Sequence, residues 1–135
     1  MDTTPPEFTL EHRWSVMMGD AITLLLFAAL GRASHAEALT IPDIIDTASP
    51  FLVGWFVMAP FLGAYRPMAF DTPRHTIRAT FLAWAGGIPL GLLLRAWLFK
   101  RNVPLSFAIV TLATTLVMLM TWRLLFWWLR SRRAS

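Results

Sequence analysis

Read for its hydrophobic and polar positions, the chain divides into four long apolar runs separated by short polar segments. The runs cover about residues 14–31, 48–65, 77–99 and 104–129. A hydrocarbon core roughly 30 Å thick is crossed by about 20 apolar residues in a helix. Each run is close to that length or exceeds it. The pattern therefore predicts an all-α, polytopic membrane protein with four transmembrane helices in a compact bundle.

The connections refine this picture. Residues 1–13 carry Pro5, Pro6 and the acids Asp2, Glu7 and Glu11 with no apolar period, which predicts an irregular polar tail. Between the first two runs, Glu37, Pro42, Asp43 and Asp46 mark a polar stretch suited to a short interfacial helix. Pro50 and Pro60 fall inside the second run, where neighbouring helices re-satisfy the freed carbonyls and a kink is expected near Pro60. Arg66 to Arg78 reads as a basic loop, and residues 130–135 as a basic tail. A cleaved signal peptide would use Ser34 and Ala36 as its small residues, but the segment before the first run is net acidic and the run contains Asp20.

Composition narrows the function classes. In 135 residues, 56% of them hydrophobic and 15% charged, four spans leave no room for a soluble catalytic domain. The absence of cysteine excludes disulfides, thiolate metal sites and thiol redox pairs. The net charge of +4 does not indicate nucleic acid, because the basic residues stand at the ends of apolar segments. Arg13, Arg66, Arg74, Arg78, Arg130, Arg132 and Arg133 fall on one side, against Arg32, Lys100 and Arg101 on the other. Cytoplasmic loops carry the basic excess, so both termini are expected in the cytoplasm. Trp14, Trp97, Trp127 and Trp128 lie near span ends, where indole rings favour the headgroup layer.

Three charges lie within the spans: Asp20, Arg95 and Arg123. A charge at that depth costs about 2.5–3.5 kcal/mol or more and normally faces the bundle interior with a partner. Asp20 and Arg123 each lie about six residues, roughly 9 Å, from the same side, so an ion pair between them is the simplest arrangement. Arg95 lies near the opposite side, where Asp46 or Asp43 is the expected partner with Glu37 behind them, and snorkelling to the interface is the alternative. Ala83, Gly87 and Gly91 share a helix side with Arg95, a small-residue face that lets another helix approach. Ala59 and Gly63 repeat the device in span two, and Gly86 to Pro89 reads as a break in span three.

Candidate chemistry is sparse. His12, His35 and His75 all fall in the tail or loops, which argues against a haem between the helices. His35 with Glu37, Asp43 or Asp46 lacks a recurring metal spacing and reads as a solvated loop. Trp55, Trp84, Phe56 and Phe81 read as packing more than as the lining of a cofactor cavity. Thr111, Thr114, Thr115 and Thr121 are expected to bond to their own helix backbone. No cofactor, metal site or catalytic constellation is expected.

The order and spacing of Gly19-Asp20-Ala21, Phe27-Ala28, Gly31-Arg32, Ser34-His35, Pro50-Phe51, Gly54-Trp55 and Gly63-Ala64-Tyr65-Arg66 resemble one known pattern. Trp84, Gly87, Pro89-Leu90-Gly91, Leu94-Arg95 and Trp122-Arg123 continue it. The chain after the polar tail is similar to a family of small bacterial and archaeal membrane proteins known as domain of unknown function 3054. The resemblance implies a prokaryotic cytoplasmic membrane and carries no activity or ligand with it. Two functional classes lead, ahead of an integral membrane enzyme, for which the sequence offers no cluster of acid-base or metal ligands. One is a non-enzymatic interaction or accessory subunit, contacting lipid and packing on a second copy or a larger membrane complex through its small-residue faces. The other is a small oligomeric transporter or channel with Asp20 as a proton or cation site.

Overall fold

The structure, a computed structural model, describes residues 8–134. Residues 1–7 of the expected polar tail and residue 135 of the basic tail lie outside the described residues. Four helices run in order, α1 (Leu10–Ser34), α2 (Ile41–Phe61), α3 (Pro73–Trp97) and α4 (Leu105–Ala134), with a short 3-10 helix, Pro67–Phe70, between α2 and α3. The shortest, α2, has 21 residues, or about 31 Å at the helical rise. All four are long and apolar enough to cross a membrane.

The first helix begins at Leu10 rather than at the start of the apolar run. Thr9 caps it: its hydroxyl accepts the His12 N–H at 3.3 Å, and His12 Nδ1 accepts the Thr9 N–H at 3.0 Å. This reciprocal capping box satisfies two donors that would otherwise lack partners. At the far side, Thr40 caps α2 by accepting the Asp43 N–H, so of residues 33–47, expected as a separate interfacial helix, residues 41–47 are the first turns of α2 and residues 35–40, with Glu37, form the connection from α1. Thr72 caps α3 in the same way through the His75 N–H, with Pro73 at the first helical position.

The second helix stops at Phe61, short of the expected Tyr65. The Ala64 N–H bonds to Ala59 O at 2.9 Å and the Gly63 N–H to Pro60 O at 3.3 Å, while Gly63 takes φ +83°. This is the Schellman arrangement, which needs a residue at ease in the left-handed region. Gly63 therefore ends the helix and forms no packing stripe with Ala59. The expected break in span three is likewise absent: α3 is continuous through Gly86, Gly87 and Pro89.

The tightest pairing is α2 against α3. A Cβ on Gly54 would stand 2.4 Å from Gly87 O, and one on Gly91 would stand 3.0 Å from Phe51 Cα. Here the two backbones touch, and only glycine fits. Ala83 is buried on the same side of α3. The fourth helix closes the bundle with a stripe of Thr111, Thr115, Leu119, Arg123 and Phe126 turned inward. Large apolar side chains such as Met18, Val57, Leu93 and Val117 point outward and are exposed. An outer surface this apolar suits hydrocarbon rather than water.

Candidate functional site

The polar centre of the molecule is built where α1, α2, the turn after α2 and α4 meet. Asp20 on α1 and Arg123 on α4 are both 0% exposed, and Arg123 Nη1 lies 2.8 Å from Asp20 Oδ2. The same oxygen accepts the Tyr65 hydroxyl at 2.5 Å and the Trp55 indole N–H at 3.3 Å. The Trp55 N–H also reaches the Tyr65 oxygen at 2.9 Å. The other carboxylate oxygen, Oδ1, accepts the Trp122 indole N–H at 3.1 Å. Both oxygens of Asp20 are thus engaged by donors from three other parts of the chain.

Each partner is placed by a local feature. The left-handed turn at Gly63 reverses the chain so that Ala64 O accepts Arg123 Nη2 and Tyr65 turns inward to Asp20. Tyr65 O, facing the other way, accepts Arg13 Nε at 3.2 Å from the start of α1. Trp122 reaches Asp20 because Gly19 has no side chain: a Cβ there would lie 1.9 Å from the indole ring. The 3-10 helix puts Phe70 under the guanidinium, 4.9 Å from its centre, with Tyr65 and Trp55 at 5.4 and 5.6 Å. Aromatic faces stabilise a cation that has lost its water.

Burying two charges costs several kcal/mol per ion, and mutual attraction offsets this only with good geometry and further hydrogen bonds. Here the carboxylate has four donors, and the guanidinium has the carboxylate, a carbonyl and three ring faces, while its buried Nε has no hydrogen-bond partner among the described residues. The arrangement fastens α1, α2 and α4 at one level. Each oxygen of the acid already accepts at least one hydrogen bond from the protein, three of the four falling on Oδ2.

The opposite side of the bundle corrects one expectation. Asp46 pairs with Arg101 rather than with Arg95. Arg101 lies in the linker just after Lys100, whose φ of +50° turns the chain back toward the exposed start of α2. Arg95 instead stacks over Phe107 of α4, its guanidinium carbon 4.3 Å from the ring centre. Glu37 pairs with Arg32 at 3.2 Å, and Arg32 also donates to Thr47 Oγ1 and Ala38 O. Asp43 is held by its own cap, with the Thr40 hydroxyl at 2.5 Å.

Other candidates take local roles. The Trp84 indole N–H donates to Leu112 O and Thr115 Oγ1, joining α3 to α4, so Trp55 and Trp84 each direct their N–H to a protein acceptor. Thr115 bonds back to Thr111 O at 2.6 Å. His12 serves the α1 cap, and His75 Nδ1 meets Asp71 Oδ1 at 2.5 Å. Among the described residues no group of three or more His, Asp or Glu is arranged to hold a metal. Tyr65, Ala64 and Trp122 were not singled out from sequence as partners of the pair. The one available signal was Gly63, a helix stop directly before Ala64 and Tyr65.

Fold and site together define a class: a multi-pass, four-helix membrane protein fastened by a buried polar centre. Residues 17–126 match the family described as "Protein of unknown function (DUF3054)", and the chain belongs to it. No curated protein and no solved structure matches the chain.

Proposed function

We propose that the chain is a non-enzymatic interaction or accessory subunit of a prokaryotic cytoplasmic membrane, with both termini in the cytoplasm, packing on a second copy or on a larger membrane complex. The observation that carries this reading is the closure of the Asp20 centre. Asp20, the one buried acid among the described residues, is engaged at both oxygens and neutralised by Arg123 at 2.8 Å, which favours a structural role over turnover or ion exchange. Apolar outer faces are the surface such a subunit offers to a membrane partner.

The test is native mass spectrometry of protein extracted gently in lipid. A stoichiometric complex with a second copy or another membrane subunit is the expected result. A bare monomer that moves a solute or turns over a substrate would overturn the proposal. Orientation has its own check: a C-terminal reporter should read as cytoplasmic, and an extracytoplasmic reading contradicts it.

A second reading, a small transporter with Asp20 as proton or cation site, draws on the burial of the acid and its 2.5 Å bond to Tyr65. It requires Arg123 to release Asp20 during a cycle, and the carbonyl and aromatic contacts that hold Arg123 oppose that release.

A further inference from the structure

Of the three charged residues inside the spans, Asp20 and Arg123 neutralise each other and Arg95 is left over. Its guanidinium rests on the Phe107 ring, 4.3 Å from the centre, and Phe107 in turn packs on the buried Phe51. The cation is thus seated on the end of the core. Among the described residues its side chain makes no hydrogen bond and no ion pair, and its Nε is buried without a partner. The residue as a whole is half-buried, and its two terminal nitrogens stay accessible.

The acids near Arg95 are already engaged. Glu37 and Asp46 act on it electrostatically, as does Arg101. Asp46, however, is paired with Arg101, and Glu37 pairs with Arg32 at 3.2 Å. Asp43, the remaining acid of this end, is held by the Thr40 hydroxyl of its own cap. Asp2 and Glu7, outside the described residues, join the chain at the opposite end of α1. Their seven-residue segment reaches at most about 25 Å, whereas the 25 residues of α1 extend about 37 Å. Against the three acids of this end stand Arg32, Arg95, Lys100 and Arg101, an excess of positive charge.

Depth and shape indicate the anion that fits. Arg95 lies two residues, about 3 Å, before the end of α3 at Trp97, and Trp97 is 81% exposed, as suits an indole in the headgroup layer. Lipid phosphates stand at that level. A guanidinium stacked on a ring keeps its in-plane donors for bidentate bonds to two phosphate oxygens.

The geometry points to a phosphate-binding site at Arg95, open at the end of the bundle away from the termini, for the phosphate of an anionic lipid headgroup or for free phosphate. Native mass spectrometry of the full chain in neutral detergent, titrated with phosphatidylglycerol and with phosphatidylcholine of identical acyl chains, tests the lipid source. Calorimetric titration with inorganic phosphate tests the free one. A preference for phosphatidylglycerol that Arg95→Gln abolishes assigns the site to lipid, and inorganic phosphate binding that the same variant abolishes assigns it to the free anion. In either case Arg95→Gln should weaken binding at least about tenfold, as loss of a hydrogen bond to a charged group does. Arg95→Lys, which keeps the charge without the planar fork, should fall between the two. Should Arg95→Gln fail to fold, Phe107→Leu removes the stack with the charge intact and should weaken binding severalfold. The proposal is overturned if wild type binds neither probe selectively, or if binding is unchanged in folded Arg95→Gln. A dimer that Arg95→Gln dissociates would also overturn it, making an acid of a second copy the partner of Arg95.

Discussion

Replacing Asp20 with Asn keeps the side chain's shape and removes its charge. Arg123 would then remain buried with a carbonyl and three aromatic faces but no counter-ion. The amide offers one acceptor oxygen where the carboxylate offered two. Either orientation turns an NH2 group toward donors: the Trp122 N–H on one side, or Arg123, Tyr65 and Trp55 on the other. Removing one partner of a buried pair costs about 3–5 kcal/mol. Arg123→Gln should cost a similar amount, since it leaves the carboxylate buried with neutral donors only. The double variant leaves no buried charge, so its loss should fall short of the summed single losses by about 2–3 kcal/mol, within the range measured for residues in one network. Unfolding in mixed micelles by added SDS, followed by tryptophan fluorescence, measures all four proteins, and Trp55 and Trp122 lie in the network itself. Single losses that add to within about 0.5 kcal/mol would show that the two residues do not act as a pair.

Further outcomes follow from the packing. Gly54→Ala puts a methyl 2.4 Å from Gly87 O and should destabilise by about 1–3 kcal/mol, whereas Gly31→Ala meets nothing within 4 Å and should be neutral or gain up to about 1 kcal/mol; the same SDS titration compares them. Gly19→Ala should displace the Trp122 ring and break its bond to Asp20, with a loss of about 1.5–3 kcal/mol for a hydrogen bond to a charged group and a shift in tryptophan emission as the indole moves. Arg101→Gln should cost less than about 1 kcal/mol, because that pair with Asp46 is about half exposed on both sides. A loss as large as that of Asp20→Asn would show the Arg101 pair to be buried in the membrane after all.

Hydropathy carries the architecture because a membrane span must be both long and apolar, and the four helices are. It carries less about where they end. The capping box at Thr9 and the reversal at Gly63 are local hydrogen-bond events that leave no mark on an apolar count, so α1 begins before its apolar run and α2 ends before its own. Spacing along a helix also encodes depth, which brings Asp20 and Arg123 into consideration together. Depth says nothing about a side chain that enters from a turn, however, and Tyr65 and the Ala64 carbonyl do so only because Gly63 reverses the chain. The Arg95 expectation failed for a related reason. Counting residues put Arg95 level with Asp46, but the linker carries Arg101 to the same carboxylate, and the Phe107 ring on the next helix takes the Arg95 guanidinium.

A structural Asp20 differs from a transporting one most directly in proteoliposomes. The purified chain would be reconstituted with a trapped pH-sensitive dye and challenged with a pH or cation gradient, beside the Asp20→Asn, Arg123→Gln double variant. If the pair is architectural, wild type and double variant show the same background leak. A flux present in the wild type and abolished in the folded double variant would contradict that reading and make Asp20 an ion-coupling site.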